Sequence, residues 1–134
     1  MDLFKRFATS PEHEVKGVWR ELDDNCSLLI ARWNNDKFNE LFAVLQETHA
    51  EALATANAAE KERQFGEIIR QVMSQTILMG WRGPLLVNGT DLGEYSSTKA
   101  YELLEWRDFR DLIRGMATQQ EHYLLHKLQE TGND

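Results

Sequence analysis

His122 and His126 stand four residues apart in a stretch of helical character, a spacing that lets one helix face hold a metal ion. The zincin pattern needs His-Glu-x-x-His, but here Tyr123, Leu124 and Leu125 lie between the histidines. No cysteine or carboxylate nearby completes a ligand set. The expectation is a solvated helix face, with no metal bound and no metal dependence in the purified protein.

Carboxylate pairs occur at Asp23-Asp24, Glu60 with Glu62, and Asp108 with Asp111. General acid–base work needs carboxylates perturbed in a cleft. A turn, an exposed helix face and a helix start, where acids favour the macrodipole, explain these pairs. Cys26 sits in the strand-like run Asn25 to Ile30 without a histidine or aspartate signature, so it is expected to be an inert, partly buried thiol. Neither Gly80-Trp81-Arg82-Gly83 nor Gly89 to Gly93 fits a phosphate loop, and no Gly-x-Ser-x-Gly elbow is present. The reading is a binding protein rather than an enzyme, with no catalytic residue and no cofactor. Trp19, Trp33, Trp81 and Trp106 are many for 134 residues. Tryptophan is enriched at binding hot spots, yet each is more often core than interface.

The length suits one domain over residues 1–134. A net charge of −7 argues against nonspecific nucleic-acid binding, which needs clustered Lys and Arg. A single cysteine fits a reducing cytosol. No apolar h-region follows the N-terminus, and no apolar run approaches the roughly 18 residues of a membrane span.

The elements that must position these residues read as follows. Met1 to Glu14 is expected to be a flexible leader, with a turn at Thr9-Ser10-Pro11. Val15 to Leu22 and Cys26 to Trp33 flank an Asp/Asn turn and suggest a hairpin. Asn34-Asn35-Asp36 caps a helix whose face carries Phe38, Leu41, Phe42 and Leu45. A second helical pattern uses Phe65, Ile68, Ile69, Val72 and Met73, and a break near Asn57 is left open. Gly80 is expected to stop that helix, with Gly80 to Tyr95 an ordered loop anchored by Trp81. Ser96, Ser97 and Asp108 are expected caps of later helices, and residues 131–134 should fray. The fold class is therefore mainly α, a helical domain with one small N-terminal antiparallel β-hairpin.

One ordered set of anchors remains. Ile30-Ala31-Arg32-Trp33-Asn34-Asn35-Asp36-Lys37-Phe38 is followed by Ile77-Leu78-Met79-Gly80-Trp81, then Tyr95-Ser96, then Ala100, Leu103 and Leu104, and finally Phe109, Ile113 and Ala117. This order resembles the tail assembly chaperone family of long-tailed phages over roughly residues 15 to 120. The resemblance makes Asn35, Phe38, Gly80, Trp81, Tyr95, Ser96, Leu103, Leu104 and Phe109 motif residues, and each also has a plain packing role. It implies a non-catalytic chaperone in the host cytoplasm, absent from the mature virion. Such a chaperone binds the tape measure protein, keeps it soluble and recruits tail tube protein around it. Self-association is expected, and no nucleic acid or membrane partner. The competing reading is a structural or adaptor component of the particle, such as a minor tail or head–tail completion protein.

Overall fold

The computed structural model describes residues 1–131; the fraying expected at the C-terminus falls, from residue 132 on, outside the described residues. Two short helices open the chain, α1 (Leu3–Phe7) and α2 (Pro11–Lys16). Ser10 caps α2 and Pro11 takes its first position, where a missing N–H costs nothing. The segment read as a leader is thus tied to the body: Ser10 N donates to Tyr123 O and Leu125 N donates to Ala8 O, both at 2.9 Å.

Strands β1 (Val18–Glu21) and β2 (Ser27–Ile30) form a hairpin shorter than expected, because Val15 and Lys16 belong to α2 and the second strand stops at Ile30. Asp23 closes its turn by accepting from the N–H groups of Asn25 and Cys26 at 2.9 and 3.0 Å. Strand alternation sends Val18, Leu28 and Ile30 inward, while Trp19 and Leu29 face the other side.

A helical layer follows: α3 (Asp36–Thr48), α4 (Ala50–Thr55) and α5 (Ala58–Thr76). Asn57 resolves the open question of a break, because its side chain accepts from Glu60 N at 2.9 Å and starts α5. From α5 and its end, Ile68, Val72, Met73 and Ile77 are fully buried. Each such side chain contributes about 1.5–3 kcal/mol by leaving water.

The chain then makes β3 (Leu78–Arg82), antiparallel to β2, with Leu28 opposite Trp81 and Leu29 opposite Gly80. The sheet order is β1-β2-β3. A second small hairpin, β4 (Leu86–Val87) and β5 (Thr90–Asp91), turns at Asn88-Gly89, where both residues have positive φ as a primed turn requires. Helices α6 (Ser97–Leu103), α7 (Arg107–Ala117), a 3-10 turn over Gln120–Tyr123 and α8 (Leu125–Thr131) complete the described chain. Tyr123 is fully buried and donates its hydroxyl to Ile30 O at 2.9 Å, which fixes the C-terminal segment to the central strand.

These elements correct the mainly helical reading. Helix accounts for 59% and strand for 15%, in eight helices and two small antiparallel sheets among the described residues, so the class is mixed α/β. The expectation failed at residues 77–91. The helix ends at Thr76 with Ile77 as its cap, and Gly80 is a mid-strand residue rather than a helix stop. Strands of two to five residues are too short to show alternation against the strong helical period before them. Asp108 is no cap either: Trp106 holds that position before α7, without a side-chain bond.

Candidate partner-binding surface

The motif residues gather around the junction of α3, the end of α5 and the sheet. Asn35 is buried; its Oδ1 accepts from Phe38 N at 3.0 Å, and its Nδ2 donates to Arg32 O at 2.8 Å and to Thr76 O at 3.2 Å. One side chain therefore starts α3 and satisfies a carbonyl at the end of α5. Phe38 packs between Trp33 (centroids 4.8 Å) and Phe42 (5.9 Å, stacked). Gly80 lies beneath Leu29 and Trp19, in a row across the outer sheet face.

Trp81 is buried, with its indole N–H donating to Gly93 O at 2.9 Å and its ring edge-on to Tyr95 at 4.9 Å. Tyr95 donates its hydroxyl to Leu78 O at 2.6 Å and also reaches Ser74 O at 3.2 Å, and burial raises its pKa. Ser96 caps α6 by accepting from Lys99 N. Leu103 and Leu104 are buried in the main core, and Phe109 packs half-buried against it. The structure thus brings the motif together as scaffold rather than as a pocket lining.

The residues singled out for chemistry are dispersed. His122 sits in the 3-10 turn and His126 on α8, separated by extended backbone at Leu124, so they do not share one helix face. Burial and the nearby Arg20 guanidinium push the His122 imidazole below its usual pKa. No group of three His, Cys, Asp or Glu side chains clusters among the described residues. Cys26 is buried, and burial together with Asp23 pushes its thiol up, toward the unreactive form. Glu67 accepts from Tyr101 Oη at 2.5 Å and from Gln71; burial works to raise its carboxyl, and those hydrogen bonds outweigh it and lower the pKa. Arg70 stacks on the Tyr101 ring at 3.8 Å and donates to Tyr101 O, so this cluster clamps α6 to α5.

Two of the surface hollows have room for a partner segment. The larger, about 760 Å³, lies between α1 and the C-terminal segment and is lined largely by charged and amide side chains such as Asp2, Lys5, Arg6 and Gln120. The smaller, about 550 Å³, runs between α2, α3 and the α5–β3 junction; Val15, Leu41, Val44 and Met79 form its apolar lining, and Lys16, Lys37 and Glu40 its rim. Lys37 and Glu40 pair at 3.6 Å, and Lys16 pairs with Glu12 at 3.2 Å, so the rim charges are largely matched. Apolar concavity with a polar rim is the usual character of a docking site, and this favours the smaller groove. Val44, 58% exposed, was absent from the helix face read from sequence. Its apolar side chain, out of phase with Phe38, Leu41, Phe42 and Leu45, was the available signal.

No helix among the described residues is long and apolar enough to cross a membrane. No curated protein and no solved structure gives a significant match to the chain. A family model described as YdaY prophage protein matches residues 33–133, well over half of the chain, and the protein is therefore a phage-derived member of the YdaY prophage protein family.

Proposed function

We propose that this prophage protein is a non-catalytic tail assembly chaperone that works in the host cytoplasm and is left out of the finished particle. Its client is the tape measure protein, whose apolar helix faces are exposed before the tube encloses them and are an aggregation hazard. By covering those faces it keeps the client soluble while tail tube subunits assemble. The observation that carries this reading is the open apolar groove of Val15, Leu41, Val44 and Met79. It has the character of a helix-in-groove site, where apolar anchors spaced three and four residues apart enter from a partner. The prophage family and the ordered anchors from Ile30 to Ala117 support the same setting.

The test is co-expression with the tape measure protein of the same prophage. The expected result is a larger soluble fraction of the client and a complex on pull-down, both lost with Val44→Asp. Val44 is exposed, so that change leaves the fold intact. Raising salt moderately should weaken the complex only slightly, because apolar burial dominates. An equally insoluble client and no complex would refute the reading, and recovery of the chain from purified particles would favour a particle component instead.

A further inference from the structure

Arg32 sits where the walls of the Val15–Leu41–Val44–Met79 groove meet. On one side its backbone N–H donates to Glu14 O of α2 at 2.9 Å, and its Nη1 lies 3.4 Å from Glu14 Oε1. On the other side its carbonyl accepts from Asn35 Nδ2 at 2.8 Å. That same Asn35 starts α3 through Phe38 N and holds Thr76 O at the end of α5. Helix α2 supplies Val15, α3 supplies Leu41 and Val44, and the α5–β3 junction supplies Thr76 and Met79. All three sides of the groove are thus referenced to one short stretch of chain.

The two facing walls are held to different degrees. Helix α3 runs for 13 residues and seats Phe38 in the core. Helix α2 has six residues and none of them is buried, so packing does not set its orientation. Two backbone bonds tie it to other elements: Ser10 N to Tyr123 O just before its start, and Arg32 N to Glu14 O within it. Two ties leave rotation about the line that joins them, and that rotation swings Val15 away from α3. The Glu14 carboxylate opposes it, since it receives both the Thr9 hydroxyl and the Arg32 guanidinium. The Arg32 and Glu14 side chains are 30% and 26% exposed, so salt screens this pair less than the open Lys16–Glu12 and Lys37–Glu40 pairs of the rim.

We propose that Arg32, acting through Glu14, is the positioning residue of the groove: it turns Val15 toward Leu41 and Val44 and so fixes the width that an apolar helix of the client must match. This rests on reading the groove as the client's docking site. Without the pair α2 pivots and a client helix loses the burial of one apolar anchor, which weakens binding by roughly tenfold or more. The fold barely feels the loss, because both backbone ties remain and an ion pair that water still reaches adds little to stability.

The wall spacing is measured on the full chain with no tape measure protein present, so that this inference and the docking reading can fail separately. Spin labels at Lys16→Cys and Lys37→Cys, both exposed, stand on opposite rims, and the buried Cys26 does not compete for label. Their distance distribution should be narrow in the labelled parent, broad in Arg32→Gln, and narrow again when Glu14→Arg is combined with Arg32→Glu. Melting should barely move across the three proteins. Pull-down of the tape measure protein should follow the same order: retained, weakened, recovered. An unchanged distance distribution in Arg32→Gln, full client binding despite a broadened one, no recovery in the swapped pair, or a large drop in melting temperature overturns the proposal. Distances that follow the predicted order in a protein that binds no client would sink the chaperone reading and leave Arg32 as the residue that sets the groove.

Discussion

Residues 83–95 and helix α1 are both short, aromatic-flanked segments outside the main helices, yet they are held in opposite ways. In the first, Trp81 and Tyr95 spend their polar atoms on backbone carbonyls of Gly93 and Leu78, and Lys99 Nζ donates to Leu92 O and Glu94 O at 2.8 Å each. An irregular stretch thereby has its carbonyls satisfied from the core side. In α1 the Asp2 side chain caps Lys5 N, and Leu3, Phe4 and Phe7 are each more than half exposed. Aromatic content alone does not separate a buried anchor from an exposed ring. What separates them is whether the ring carries a polar atom that the neighbouring backbone needs.

The largest effect expected on the held side is at Gly83. Its φ is +85°, and a Cβ there would stand 1.7 Å from Asn25 O and 2.8 Å from Asn25 C. Those are backbone atoms of the hairpin turn and cannot rotate away. Gly83→Ala should cost more than about 3 kcal/mol, combining left-handed strain with a clash that must shift the turn. Gly89 has φ +78° but nothing within 4 Å of its Cβ position, so Gly89→Ala should cost only about 1–2 kcal/mol. Denaturant melts of the two variants check the contrast, and equal losses would break it.

Trp81 comes next. Truncation to Ala removes a buried ring that packs on Tyr95 and bonds Gly93, and should cost about 3–5 kcal/mol. The loss should also free the 83–95 segment, seen as faster amide exchange there than in α5. Unchanged melting would mean that the segment is held by Lys99 and Tyr95 alone.

How much of this was legible follows from signal length. The 19-residue α5 and the 13-residue α3 carry several turns of apolar period, and both were readable, but the break near Asn57 was left open because the alanine-rich stretch before it favours helix. The first hairpin was readable because an Asx turn separates two β-rich runs. Strand β3 was not, since Leu78-Met79-Gly80-Trp81 directly continues an apolar helix and places a glycine where helices often stop. Only its pairing with β2, in which Leu28 lies opposite Trp81 far along the chain, overrides the local preference. The motif residues were read as packing residues, and Asn35, Phe38, Trp81, Leu103 and Leu104 are buried. The groove was missed because Val15, Val44 and Met79 come from three elements, and only the tertiary fold makes them neighbours.

The smallest effect belongs to α1 and sharpens the comparison most. Phe4→Ser removes a ring as large as those that anchor the core, but one that is 69% exposed on a helix with no buried residue. Exposed substitutions away from caps and cores stay within about 0.5 kcal/mol, so the variant should melt with the wild type. Denaturant melts of the two proteins side by side check this. A Phe4→Ser loss of about 2 kcal/mol or more would show that the Phe4 ring is held by its own chain, and the contrast with residues 83–95 would vanish.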